Sequence, residues 1–547
     1  MLHPTIFNTS EYCHKLGVNH IVLSPGSRNA PLTISFARNK QIKKWVVPDE
    51  RAAGFIALGI AQKTGEPTAI CCTSGTALLN YAPAVAEAYY REIPLIVFSA
   101  DRPTNLIDQR DGQTIRQFEA LKNHVKDSVQ LPEIQTKENQ DAYSDQLINA
   151  IRKASHLPQG PVHLNIPFSE PFYPTDNQLL KFDDLNLKRD NIQLSDDDFD
   201  PISLENKKVL ILVGQMDSDE ELDYELSRIE SEVPIIASPL SNTSCDVISK
   251  VDLFLSDQEY LKPDILLSTG YSVLSKKLKN YIRKHKTELH LHFDPAGVDV
   301  DTYQTKPKII RARLSKYLQK TSFAESNSDY RAKWKSLLQS SSLALDEFMR
   351  NAEFSEAKAF YNILNSVPNN IDIHLSNSMP VRFADMFGVK AGGSVWSNRG
   401  TSGIDGCTST ALGTSLVSDN INLLLTGDLA FLYDRNAFFH NYAFPNLRII
   451  VFNNHGGGIF RLIEGPSSQP ELEEYFETRH NRTAKYICEE NKIEYRTAID
   501  ENQVKSGLVE FFTKSDTPKL LEIFTDPEIN EKVFKALKIH VQDAINY

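Results

Sequence analysis

The chain has 547 residues, 41% of them hydrophobic and 24% charged, an ordinary globular composition with length for about three domains at roughly 100–200 residues each. Its net charge of −12 argues against nonspecific nucleic-acid binding, although local Arg and Lys clusters could still hold a small anion. Six cysteines without a C-x-x-C pair, no apolar stretch near the roughly 20 residues that span a bilayer, and an N-terminus lacking a basic start and apolar run predict a cytoplasmic protein with no zinc site, disulfide framework, membrane span or signal peptide.

Short, nearly continuous apolar runs alternate with amphipathic segments along the whole chain. That alternation predicts an α/β fold of parallel sheets whose strands are covered on both faces. The first part has such runs at His20–Ser24, Thr68–Cys72, Pro94–Ser99 and Val162–Ile166. Open parallel sheets bind ligands beyond the carboxyl ends of their strands, so the loops that follow each run are the candidates. Here they offer Ser27 and Arg28, then Thr73, Ser74 and Gly75 with Asn80, then Arg102, and Gln113 in a polar loop. Trp45-Val46-Val47 leads to Glu50, which opens an apolar helix over Arg51–Ala61 with Asp49 as its cap. Taken alone, Glu50 reads equally well as an acid placed for the helix dipole.

A polar stretch from about Asp176 to Lys208 predicts a linker, and a second is expected near Thr321–Asp329. They divide the chain into parts 1–180, 181–345 and 346–547. The second part has runs at Val209–Val213, Pro234–Ala237, Ile265–Ser268 and Leu289–Phe293, with Lys276 and Lys277 after the third. The last part has Ile371–Leu375, Ile421–Leu425, Arg448–Phe452 and Lys519–Phe524. Its loops carry Ser378 and Arg382, then Arg399, then Gly427-Asp428-Leu429, then Asn453-Asn-His-Gly-Gly-Gly-Ile-Phe460.

Asp428 and Asn454 stand 26 residues apart, room for a helix over about Tyr433–Tyr442 and a return strand to the same sheet edge. A carboxylate, an amide oxygen and a backbone carbonyl at Gly456 are hard ligands suited to Mg²⁺, or to Mn²⁺, completed by water and phosphate oxygens. The three glycines from Gly456 allow close backbone approach to phosphate. Either half alone reads more readily as a strand-end turn; the conjunction favours a metal-diphosphate site. Ile459 and Phe460 fit ordinary core, and His455 fits a turn.

Gly427-Asp428 followed by Asn453-Asn454 resembles the metal-diphosphate motif of thiamine diphosphate enzymes, although Leu429 replaces the usual third glycine. With its flanking residues, the motif is similar to that of one branch, the 2-succinyl-5-enolpyruvyl-6-hydroxy-3-cyclohexene-1-carboxylate synthases of menaquinone biosynthesis. Pro48-Asp49-Glu50-Arg51 and Thr73-Ser74-Gly75-Thr76 resemble the pyrimidine-binding segments of the same enzymes. The resemblance implies three doubly wound parallel-sheet domains: pyrimidine-binding (1–180), central (181–345) and diphosphate- and metal-binding (346–547). It implies thiamine diphosphate between two subunits of a homodimer or homotetramer, with Glu50 activating the cofactor. It also implies decarboxylation of 2-oxoglutarate and addition to isochorismate, with catalytic parts for Gln113, Ser378, Arg382 and Arg399. Cofactor contacts are implied for Glu50, Thr73, Ser74, Gly75, Asn80, Ser378, Gly427, Asp428, Leu429, Asn454, Gly456, Ile459 and Phe460. Ser27, Arg28, Arg102, Gln113, Lys276, Lys277, Arg382 and Arg399 would face the substrates, Lys277 standing where the branch leads one to expect Arg. The competing readings are another thiamine-dependent 2-oxoacid decarboxylase or acetolactate-type synthase, a dinucleotide-binding α/β protein, and a catalytically inactive scaffold.

Overall fold

The computed structural model describes residues 4–170, 172–173, 187–190, 204, 206–323, 326–389 and 392–546. Most of the stretch expected to be the first linker lies outside the described residues.

Three sheets form, and every strand pair in them is parallel. The first is built from β1 (His20–Leu23), β2 (Lys43–Val46), β3 (Thr68–Cys72), β4 (Leu95–Asp101), β5 (Asp127–Gln130) and β6 (Val162–Pro167), in the order β2-β1-β3-β4-β6-β5. The second holds β7 (Val209–Val213), β8 (Ile235–Ala237), β9 (Ile265–Thr269), β10 (Leu289–Phe293) and β11 (Lys308–Ile310), ordered β11-β10-β9-β7-β8. The third holds β12 (Asp372–Leu375), β13 (Val395–Trp396), β14 (Asn422–Gly427), β15 (Leu447–Asn453), β16 (Glu494–Ala498) and β17 (Lys519–Phe524). Its order, β13-β12-β14-β15-β17-β16, repeats that of the first sheet strand for strand. In both, the direction of winding reverses between the first and third strands of the sheet. The loops after those two strands therefore open a crevice at the carboxyl edge.

All twelve apolar runs became strands. The five strands the sequence did not announce, β2, β5, β11, β13 and β16, all lie at sheet edges. An edge strand pairs on one side only and is short or partly polar, so it lacks the long apolar run of a central strand; β2 reads Lys-Lys-Trp-Val and only Trp45 in it is buried.

Two expectations are corrected. No helix spans Tyr433–Tyr442: a short helix occupies Asp428–Tyr433 and a 3₁₀ turn Arg435–Phe438. The aromatic residues beyond it pack as a cluster, with the Phe438 and Phe444 rings stacked at 5.6 Å and His440 edge-on to Phe444. The second linker is also shorter than expected, because a helix over Ser326–Asn351 begins inside it. Asn327 is fully buried there; its Oδ1 accepts from the Val209 N–H at 2.8 Å and its Nδ2 donates to the Lys207 carbonyl at 3.0 Å. Tyr330 and Trp334, one turn apart, add buried rings.

The first and third sheets share one hydrophobic core. Its centre is the crossing of the helix Glu50–Thr64 with the helix Cys407–Ser415. A Cβ on Gly59 would sit 2.1 Å from the Thr410 carbonyl oxygen, and one on Gly413 2.1 Å from that of Ile56. The helices therefore touch backbone to backbone, and Thr414 Oγ1 donates to the Gly59 carbonyl at 3.2 Å. Lys63, at the end of the first helix, pairs with buried Asp372 of β12 at 2.6 Å. Gly59→Ala should cost about 1–3 kcal/mol through overpacking, read as a lower thermal midpoint of the metal-free protein; an unchanged midpoint would show that the crossing can relax.

Candidate active site

The loops after β12, β14 and β15 enclose a cleft of about 390 Å³. Asp428 begins the helix that follows β14, and Asn454 stands one residue past β15. Both are almost fully buried. Asp428 Oδ2 accepts from the Gly456 N–H at 3.0 Å, and the His480 Nε2 lies 3.5 Å from the same oxygen. The Asn454 Nδ2 donates to Glu356 Oε2 at 2.9 Å. The Asn454 Oδ1 is buried without a hydrogen-bond partner among the described residues. An orphaned buried acceptor is costly unless something meets it, and beside a carboxylate in a cleft a hard cation is a fitting partner. Among the described residues no three His, Cys, Asp or Glu side chains are grouped to hold a metal; the candidate set here is a carboxylate, an amide oxygen and the backbone at Gly456. The Gly456 carbonyl currently accepts from the Gly458 N–H at 3.0 Å.

Gly427, Leu429, Gly456, Ile459 and Phe460 line the same cleft, as do Ser378, Arg382 and Arg399. Ser378 has a φ of 78°, a conformation costly for a non-glycine residue, where the chain turns from β12 into the helix Met379–Phe387. Arg382, one turn on, donates to the Ser378 carbonyl. Arg399 donates to Asn377 Oδ1 at 2.8 Å, and burial followed by the neighbouring Arg382 holds its guanidinium below the usual arginine range. Two cations side by side in a cleft suit a carboxylate ligand. The Arg399 loop is itself pinned by Glu87, a buried residue of the first part, which accepts from the Gly400 and Thr401 N–H groups at 2.8 and 2.6 Å.

The remaining candidates gather elsewhere. At the carboxyl edge of the first sheet, the loops after β1 and β3 touch: a Cβ on Gly26 would lie 2.3 Å from that of Thr73. Ser27 is exposed beside Arg28, which is buried, donates to the Phe168 carbonyl at 2.8 Å and lies over the Phe172 ring. The Ser74 hydroxyl is buried without a partner among the described residues, and the Gly75 N–H donates to Gln117 at 2.7 Å. Gln113, with a φ of 54°, passes against Gly75. Arg102 donates to the Gly112 carbonyl at 2.7 Å. Asp49 caps the following helix through the Ala52 N–H at 3.1 Å. Glu50 is half-buried; burial raises its carboxyl above the usual range, and a hydrogen bond with Asn80 opposes that rise. No residue of this group lines the cleft of its own chain.

Lys276 and Lys277 are exposed at the start of the helix Lys276–Lys284, and the Lys277 amine donates to the Asp252 carbonyl at 2.8 Å. His455 occupies a left-handed turn with a φ of 65°.

Sequence reasoning missed Glu356, Asn377 and His480. Glu356 is buried and lines the cleft; desolvation pushes its carboxyl up to about 7, the bond from Asn454 opposing this and Asp428 adding to it. Glu356 and His480 lie 98 residues before Asn454 and 52 after Asp428, so no local motif announces them.

Comparison with known proteins identifies the family. Residues 9–128 match the family model of the thiamine pyrophosphate enzyme N-terminal binding domain, and residues 186–375 match that of the thiamine pyrophosphate middle domain. Fold and matches together define a thiamine diphosphate enzyme. A 2-succinyl-5-enolpyruvyl-6-hydroxy-3-cyclohexene-1-carboxylate synthase of Cytophaga hutchinsonii is 42% identical over 98% of this chain and 99% of its own. Synthases of the same name from Flavobacterium johnsoniae and Porphyromonas gingivalis are each 37% identical, over 98% and 95% of this chain and 99% and 94% of theirs. The chain belongs to this synthase family.

Asp428→Ala should abolish Mg²⁺-dependent binding of thiamine diphosphate in calorimetry. Unchanged affinity would remove Asp428 from the site.

Proposed function

We propose that the chain decarboxylates 2-oxoglutarate and joins the remaining four-carbon unit to isochorismate, forming 2-succinyl-5-enolpyruvyl-6-hydroxy-3-cyclohexene-1-carboxylate for menaquinone biosynthesis. The observation that carries this reading is the cleft that sets Asp428 and the unpartnered Asn454 oxygen beside Arg382 and Arg399. It combines a place for a metal-bound diphosphate with a place for a carboxylate substrate.

Mg²⁺, or Mn²⁺, would be held by Asp428, Asn454 and the Gly456 backbone. When bound, thiamine diphosphate supplies the electron sink for loss of carbon dioxide. Glu50, its carboxyl raised by burial, would share a proton with a pyrimidine nitrogen. Ser74, Gly75 and Asn80 would bound that end of the cofactor. Ile459, Phe460 and Leu429 would shield the cleft from water, which strengthens each charge contact inside it. Arg382 and Arg399 would pair with the 2-oxoglutarate carboxylates; Ser27, Arg28 and Arg102 would meet those of isochorismate, with Ser378 and Gln113 orienting substrate oxygens. Lys276 and Lys277 stand at the periphery, and with Lys277 already bonded to the Asp252 carbonyl their part is the smallest.

Glu50 lies outside the cleft of its own chain, which supports a site completed by a second copy in a homodimer or homotetramer. We place the enzyme in the cytoplasm on its six free thiols; among the described residues no helix is long and apolar enough to cross a membrane. The three-part division at 180 and 345 is likewise our proposal.

Incubation with 2-oxoglutarate, isochorismate, thiamine diphosphate and Mg²⁺ should give the adduct mass. Decarboxylation without an adduct would defeat the synthase reading and leave the cofactor reading standing. Glu50→Gln should slow turnover by about 100-fold or more, and near-normal turnover would remove Glu50 from cofactor activation.

A further inference from the structure

An amide that serves a metal must present its oxygen, yet the two ends of an Asn side chain have nearly the same shape. Something has to choose between them. Asn454 is 9% exposed as a residue, and its Nδ2 donates to Glu356 Oε2 at 2.9 Å while its Oδ1 has no partner among the described residues. An ionised carboxylate only accepts hydrogen bonds. Turning the amide over would set oxygen against oxygen in a buried site. In its ionised form Glu356 therefore admits one orientation of the Asn454 amide, the one that leaves the oxygen free, and that is the orientation found.

Glu356 is itself fixed. It is the first residue of the helix Glu356–Leu364, which Ser355 caps. Its N–H donates to Asn530 Oδ1 at 2.7 Å, and the Asn530 Nδ2 donates to Thr525 Oγ1 at 2.9 Å. The Thr525 N–H in turn donates to the Asn453 carbonyl at 3.1 Å. A closed run of hydrogen bonds thus leads from the end of β17 through Glu356 to Asn454 and back to the end of β15.

We propose that Glu356 is a positioning residue that holds the Asn454 amide with its oxygen presented to the metal. The inference rests on the metal reading of Asp428 and Asn454 given above. The competing role for Glu356 is that of an acid at a helix N-terminus, where the dipole favours negative charge. The two roles differ in what they predict for Glu356→Asp. It keeps the charge and the helix preference but is one methylene too short to reach Nδ2. Glu356→Gln loses the charge and, because its amide can donate as well as accept, no longer chooses between the two ends of Asn454.

The test is Mg²⁺ titration of the full-length protein with saturating thiamine diphosphate, followed by calorimetry, with melting of the metal-free protein as the check on folding. Glu356→Asp should weaken Mg²⁺ binding by about 10- to 100-fold, the range typical of lost support for a metal ligand, and Glu356→Gln should weaken it too, whereas the dipole role leaves Glu356→Asp at the parent affinity. In an Asn454→Asp background both ends of the side chain are oxygen, so the penalty of Glu356→Asp should disappear. Parent-like Mg²⁺ binding by Glu356→Asp, or an equal penalty in the Asn454→Asp background, would overturn the proposal. A parent protein that binds no Mg²⁺ with thiamine diphosphate would overturn the metal reading beneath it.

Discussion

Gly59 and Gly413 allow two helices to meet at backbone distance, and the location of everything functional follows from that contact. The helix that begins at Glu50 crosses the helix Cys407–Ser415 nine residues later, about 13 Å along its axis at 1.5 Å per residue. The first and third sheets are thereby joined through one core, with Lys63 and Asp372 paired across it. The joint also fixes the surroundings of the helix start: Arg51 donates to the Tyr433 carbonyl at 2.8 Å, and Asp49 accepts from Asn436 at 2.7 Å. Glu50 stands between those two anchored residues, while the cleft beside Asp428 is lined wholly by residues from Glu356 to Ile463.

The repeated strand order gives this arrangement its chemical sense. Each of the two outer sheets makes a crevice where its winding reverses, and each crevice is furnished for a different task. That of the first sheet offers a raised carboxyl, a buried hydroxyl at Ser74 without a partner among the described residues, and the close approach of Gly26 to Thr73. That of the third offers a carboxylate, an unpartnered amide oxygen and two arginines. A cofactor with a base at one end and a diphosphate at the other would need both, and the first-sheet group does not line the third-sheet cleft of its own chain.

The central strands were legible because burial on both faces demands continuous apolar runs, as in Val209–Val213. The edge strands were not: Lys43–Val46 and Glu494–Ala498 carry the mixed polarity of surfaces half in water. Asp428 and Asn454 could be singled out because each follows an apolar run that reads as a strand, and the structure brings both to one cleft. The helix over Tyr433–Tyr442 was misread because aromatic residues that stack on one another in an irregular turn have spacings that also suit a helix. Glu356 was invisible for a different reason. Its importance exists only through Asn454, and nothing in Ser355-Glu356-Ala357 distinguishes it from any acid at the start of a helix.

The account stands on the Glu50 of one chain and the Asp428 of another forming a single site. Glu50→Gln and Asp428→Ala chains, each inactive alone, can be co-expressed with different tags and purified as a mixed dimer. One of its two sites would then have both residues intact, and the mixed dimer should recover about half the parent activity. A mixed dimer as inactive as either variant alone would contradict the account.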